Sequence, residues 1–320
     1  MRLFVAALLL GALAATAAEA QSYPTKAISL VVPFPAGGRT DLVARAVAQF
    51  LKPELGQPVV VINRPGASGV LGAKEVSGAA ADGYTLGLFS TGFLTAQYTV
   101  PTPTKASEYE LVALINIDPA AVAVPHARGW RSLADFVAYG RKNPGALRVG
   151  INAGSSAHIF AAAFAEKAGL DVIYVPFRGG SERSVALAGG HIDTDFDIVA
   201  PMKPMIESQK IDALGIAAEG HVDLYPNIPT MREGGVDLVI SSWHGVFAPK
   251  GTPAAIVAQV SEAVGRLSAR PDFVQHMGTL LLGVRYLNAA AFQKFFADED
   301  TQYRRLIDKL DLYVAPETAK

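Results

Sequence analysis

Between Ala27 and Phe34 the chain reads AISLVVPF, a nearly unbroken apolar run of the kind expected for a strand covered on both faces. The period then changes. In DLVARAVAQFLKPEL the apolar positions are Leu42, Val43, Ala46, Val47, Phe50 and Leu51, one face of a helix. A second strand is predicted in PVVVINRPG, closed by Pro65-Gly66, a second helix in SGVLGAKEVSGAA, and a third strand in GYTLGLFSTG. This β-α-β-α-β order predicts a parallel, doubly wound α/β sheet.

Beyond LVALINIDPAAVAVP the pattern restarts. Helix SLADFVAYGRKN leads to strand LRVGINAG, helix AHIFAAAFAEKAG, strand VIYVPFRGG, helix SERSVALAGG and strand IDTDFDIVA, which predicts a second α/β domain. The C-terminal part reads as helical. Thr252-Pro253 is expected to supply the N-cap and first position of TPAAIVAQVSEAVGRL, and NAAAFQKFFADEDTQYRRLIDKL forms a long amphipathic helix. No internal repeat or low-complexity linker separates the two halves, so two closely packed domains are expected.

Composition narrows the class. The 320 residues are 50% hydrophobic and 18% charged with a net charge of −1, enough for large cores and without the basic surplus of a nucleic-acid partner. There is no cysteine, which removes disulfides, thiol catalysis and thiolate metal sites. The first twenty residues read as a secretory signal: Arg2, an apolar Leu3 to Leu13, and Ala18-Glu19-Ala20 as a cleavage site before Gln21. A membrane anchor is the competing reading, disfavoured by the short apolar core and the small-residue site. An exported protein without disulfides fits a bacterial periplasm.

Four loops carry the candidate chemistry. GGRTD follows the first strand without the G-x-G-x-x-G spacing or the Lys-Ser pair of nucleotide sites, so no nucleotide cofactor is expected. What remains is a strand end, consecutive glycines and a helix start, a construction suited to a carboxylate. FSTG, AGSSAH and PFRGG repeat it, and ligands of open α/β sheets lie beyond the carboxyl ends of the strands. Ser155 or Ser156 with His158 raises the alternative of a secreted serine hydrolase, but no G-x-S-x-G elbow accompanies them. Asp193, Asp195 and Asp197 alternate along one strand face without the glycine and closing glutamate of a calcium loop, and the six histidines form no metal pair, so no metal is expected.

These same segments resemble the Bug (TctC-type) proteins, the extracytoplasmic solute-binding components of tripartite tricarboxylate transporters. The resemblance starts with YPTKAISLVVPFPAGGRTD and NRPG and continues through AGSSAHI, VPFRGG, LAGGHIDTDFD, LYPNIPTMREGGV and SWHGVFAPKGTP. It implies two doubly wound α/β domains of the periplasmic type II kind joined by hinge crossovers. One is placed at residues 21–123 with 246–320, the other at 124–245. It also implies a monomeric, non-catalytic receptor that presents a small organic carboxylate to a membrane transporter. Carried over by position, the ligand contacts would be Phe34, Ala36, Gly37 and Gly38 with Asp41 closing the loop, Ser90 and Thr91, and Ser155, Ser156 and His158. Phe177, Arg178 and Gly179 would meet the variable end of the ligand, and Asp197 would close the set. The family commonly has a small or polar residue where this chain has Arg39, asparagine in place of Ile198 and tyrosine in place of Phe177. Arg39 and Arg178 then suggest a dicarboxylate, and Phe34, Phe93 and Phe177 an aromatic ring to stack on.

Overall fold

A computed structural model describes residues 23–101 and 104–315 of the chain; the expected signal at 1–20 lies outside them. The first half runs β1 (Ile28–Val32), α1 (Arg39–Leu55), β2 (Val59–Asn63), α2 (Val70–Ser77), β3 (Thr85–Ser90), α3 (Thr91–Thr99) and β4 (Tyr109–Pro119). The middle runs β5 (Ala121–Pro125), α4 (Leu133–Lys142), β6 (Leu147–Ile151), α5 (Ser156–Ala168), β7 (Val172–Pro176), α6 (Gly180–Ala188), β8 (Thr194–Asp197), α7 (Lys203–Glu207) and β9 (Ile211–Ile216). β10 (Ser241–Pro249), α8 (Ala254–Ser268), α9 (Pro271–Thr279), β11 (Leu287–Asn288) and α10 (Ala289–Lys309) complete it.

The strands form two sheets, ordered β11-β4-β10-β3-β1-β2 and β7-β6-β8-β5-β9. The expected parallel pairing holds for β1 with β2 and β3, and for β6 with β7 and β8. Each sheet also contains a strand running the other way: β10 pairs antiparallel with β3 and β4, and β5 with β8 and β9. The reason lies in how the chain crosses. The parallel strands point their carboxyl ends at the facing sheet, so a strand arriving from that sheet must run against them. The crossings lie at Ala120 and in the stretch 217–240, and they bond to one another: Ala120 N–H donates to Ile240 O (3.0 Å), Ala217 N–H to Ala120 O (2.7 Å) and Ile240 N–H to Ala217 O (3.1 Å).

The pleat sorts the core into two layers. Leu30 and Val32 of β1 pack with Val43 and Val47 of α1, Val260 and Val264 of α8, and Phe273 of α9. Val31 faces the opposite layer with Phe89, Phe93, Tyr109, Trp243, Phe247, Phe292 and Phe296. Phe89 and Phe247 stack at 4.9 Å, and Phe93 lies 4.8 Å from Phe89. Burial of such side chains contributes about 1.5–3 kcal/mol each, and this cluster fixes α10 across the first sheet. Phe93 is therefore part of the core and is not available to a ligand. At α8 the helix starts one residue later than expected: Pro253 is the N-cap, and the Thr252 hydroxyl turns back to Pro249 O (2.8 Å).

Candidate functional site

Two loops from opposite sheets are built alike. Gly37 takes φ +79 before Gly38 and the start of α1, and Gly154 takes φ +74 before Ser155 and the start of α5. These left-handed turns need glycine, and they aim the first turn of each helix back across the cleft. At Gly154 the approach is also tight: a Cβ there would lie 2.7 Å from Thr99 Oγ1. The first loop is closed by Asp41, whose carboxylate accepts from the Gly37 N–H (2.9 Å), Arg45 Nε (2.8 Å) and Asn63 Nδ2 (3.0 Å). Burial pushes that carboxyl up, but these three bonds outweigh it and hold it below the usual carboxylate range.

Three helices, α1, α5 and α6, begin at one small cavity, and none has a side-chain bond from its N-cap residue, Gly38, Ser155 or Gly179. The cavity holds about 30 Å³ and is lined by Phe34, Pro35, Gly38, Arg39 and Thr40 from one side and by Asn152, Ser155, Ala157, Gly180, Arg183 and Asp197 from the other. Ser155 is 3% exposed, and its hydroxyl has no hydrogen-bond partner among the described residues.

Two arginines and two aspartates set its electrostatics. Arg183 is buried and donates from Nε to Asp195 Oδ1 (2.6 Å), from Nη2 to Asp197 Oδ2 (2.6 Å), and from Nη1 to Asn152 Oδ1. Burial alone would lower its pKa, but the two carboxylates raise it, so the guanidinium stays charged. Burial pushes the Asp195 carboxyl up against the pull of Arg183. Arg39 reaches in from the other sheet. Its Nη1 donates to Asp197 Oδ1 at 2.9 Å, its Nη2 donates to Ser156 Oγ, and its guanidinium carbon lies 6.0 Å from the centroid of the Phe160 ring. Asp197 Oδ1 also accepts from the Ile198 N–H at 2.8 Å.

The remaining expected residues divide cleanly. Phe34 lines the cavity, and Gly179 packs so closely on Pro35 that a Cβ would lie 3.0 Å from its ring. Ala36 and Gly37 face solvent and are not in the lining. Ser90 and Thr91 are buried on structural duty: Ser90 Oγ caps α3 through the Gly92 N–H (3.3 Å), and Thr91 Oγ1 accepts from the Trp243 N–H (3.0 Å). Arg178, with a side chain 90% exposed, lies 3.6 Å from Glu182 and outside the inner cavity. Phe177 and Arg178 instead border a mouth of about 590 Å³ together with Pro33, Pro65 and Pro176, which shares Phe34, Pro35 and Asn152 with the inner cavity.

Neither alternative chemistry finds its geometry. His158 Nδ1 accepts from the Gly154 N–H (3.3 Å), its pKa is lowered by burial, and neither serine hydroxyl is among its partners. Ser156 is bound by Arg39 instead. Arg183 binds Asp195 and Asp197, while Arg128 and Arg148 hold Asp193, so guanidinium groups occupy the places a metal would need.

Arg183 and Asn152 were not expected from the sequence. A signal for Arg183 exists: Ala186 and Leu187, three and four positions on, mark the buried face of α6 on which this cation sits.

Residues 43–312 match the model of the tripartite tricarboxylate transporter family receptor, TctC. Among solved structures, the periplasmic binding protein BugD is 29% identical, with a TM-score of 0.86 over 91% of this chain and 99% of its own. A Rhodopseudomonas palustris protein solved with adipate is 28% identical, with a TM-score of 0.88 over 92% of this chain and 99% of its own. MatC from Rhodopseudomonas palustris, solved with malate, is 28% identical, with a TM-score of 0.80 over 89% and 100%. The fold is that of these periplasmic binding proteins, and the chain belongs to the TctC family of tripartite tricarboxylate transporter receptors.

Proposed function

We propose that this protein is a periplasmic, non-catalytic receptor that captures a small carboxylic acid between its two lobes and delivers it to a tripartite tricarboxylate-type transporter. The observation that carries the reading is the convergence of three helix N-termini and the unpartnered Ser155 hydroxyl on one cavity. Each helix start contributes about half a positive charge and free N–H groups, which together compensate one carboxylate. The four charged side chains around them sum to zero, so they neither repel nor over-attract a monoanionic group.

A cavity of about 30 Å³ has room for little more than one water, so an acid enters when the lobes part about the bonded crossings at Ala120, Ala217 and Ile240. Its carboxylate then occupies the inner end, and its body runs past Phe34 and Pro35 into the proline-rich mouth. Arg178 waits there for a distal charge. The adipate and malate held by two similar proteins support dicarboxylates as the class to test first.

Calorimetric titration with dicarboxylates of four to eight carbons, and with benzoate and phthalate isomers, tests the reading. Micromolar or tighter binding of at least one acid, with little heat from the matching diamide, is the expected result. Equal silence toward all the acids would overturn it.

A further inference from the structure

We infer that Arg39 is the specificity-determining residue of the cleft: its guanidinium is a tethered cation that occupies the one place where a ligand ammonium could bind, and so restricts the site to acids without an amino group. The inference rests on the carboxylate reading above and names the ligand class within it.

The hydrogen-bonding capacity left in the cavity is one-sided. Of the carboxylate oxygens bordering it, Asp197 Oδ2 is held by Arg183, and Asp197 Oδ1 by Arg39 and the Ile198 N–H. The Ser156 hydroxyl is also bound by Arg39, and the Asn152 carbonyl oxygen by Arg183. What remains in the lining are helix-end N–H groups and the Ser155 hydroxyl; the unpartnered Asp195 Oδ2 belongs to a fully buried residue outside that lining. Such a site satisfies acceptors and leaves a buried ammonium without an anionic partner, which desolvation penalises heavily.

Removal of Arg39 reverses the balance. The cluster of Arg39, Arg183, Asp195 and Asp197 falls from zero to one net negative charge, Asp197 Oδ1 and Ser156 Oγ lose their shared donor, and the volume of a long side chain opens beside the helix ends. An anionic oxygen next to an anion-binding cradle is the arrangement that takes an ammonium and a carboxylate on one molecule, an α-amino acid. Asp197 remains held by Arg183 and by the Ile198 N–H, so the change leaves no orphaned buried carboxylate.

The test compares wild type, Arg39→Ala and Arg39→Lys by calorimetry against two matched pairs, succinate with aspartate and glutarate with glutamate. Thermal melts of each variant establish folding. Wild type and Arg39→Lys are expected to favour the unaminated acid of each pair. Arg39→Ala is expected to shift that preference toward the amino acid by roughly ten- to a hundredfold, the scale of one charge-assisted hydrogen bond. An unshifted preference in folded Arg39→Ala overturns the inference and leaves the carboxylate reading standing. An equal gain of amino acids by Arg39→Lys also overturns it, because the cation would then be irrelevant. Binding of no acid by any form overturns both readings.

Discussion

Arg39 and Asp197 lie 158 positions apart in the chain and 2.9 Å apart in space, one on the first turn of α1 and the other at the end of β8. The pair joins the two sheets at the centre of the cleft. Charge-assisted bonds of this kind are worth about 1.5–3 kcal/mol each when buried. Arg39→Ala should therefore shift ligand-free protein toward open forms by roughly tenfold or more. Small-angle scattering is the direct measurement: the variant should show a larger radius of gyration than wild type. Superimposable curves would mean that the lobes are held by other contacts.

Arg183 should matter more to stability than to shape. Arg183→Met keeps the length of the side chain but strands the buried Asp195 and leaves the buried Asp197 with only Arg39 and the Ile198 N–H. Loss of one partner from such a cluster costs about 3–5 kcal/mol. Urea denaturation should show a midpoint lowered accordingly, and a change under about 1 kcal/mol would contradict the assigned pairing.

Behind the first turn of α1 a buried polar chain runs from Thr40 to His244 (3.4 Å), to Asn116 (2.9 Å) and on to Asp118, which accepts from the Gly283 N–H at 2.7 Å. Burial pushes Asp118 up to about 7. An acid whose folded pKa is raised contributes stability that is present below its unfolded value and lost as pH rises through the folded one. For Asp118 that window runs from about 4 to about 7. His244 has the opposite sign: burial holds its pKa well below normal, so its contribution is present above about 6.5 and lost as the solution is acidified. The stability of Asp118→Asn relative to wild type should rise between pH 4 and pH 8, by an amount on the order of 2–4 kcal/mol. A pH-independent difference would show that Asp118 is ionised throughout.

Gly154→Ala is expected to be costly for two reasons. The residue takes φ +74, and a Cβ would sit 2.7 Å from Thr99 Oγ1 and 2.9 Å from the Thr99 carbonyl. A loss of about 1–3 kcal/mol in stability follows. Ser155 is the next residue, so acid affinity should fall as well. Wild-type behaviour in both assays would place the strain elsewhere.

Arg178→Ala should leave the melting temperature within about a degree, because an exposed pair such as Arg178 with Glu182 contributes little. Its effect should be confined to ligands long enough to bring a second charge to the mouth. Titration with adipate and hexanoate separates the cases: only the diacid should lose affinity.

Much of this arrangement was legible in the sequence where the signal is local. The strand ending at Val32, the glycines after it and the start of α1 are adjacent in the chain, and they led directly to Arg39. The repeat of the same construction at Gly154 and Gly179 located the opposite wall. Long-range pairing was not legible. Ser90 and Thr91 look like ligand hydroxyls until Trp243, 152 positions beyond Thr91, is seen to donate to one of them. β10 escaped notice because its direction is set by the crossing from the other sheet, and nothing within SSWHGVFAP records that crossing. For Arg183 the apolar face of α6 places the cation inward, but nothing local names its partners Asp195 and Asp197, twelve and fourteen positions on.

The balance of two arginines against two aspartates also has a kinetic side. A cleft that sums to zero sends little field beyond its own walls, and the contribution of helix ends fades within about one turn. An acid passing at the Debye distance of about 10 Å in 0.1 M salt feels almost no pull. Capture then depends on how often the mouth is open when the acid arrives, so the association rate constant should barely change with ionic strength. Selection would take place after entry, in the rate at which the wrong molecule leaves.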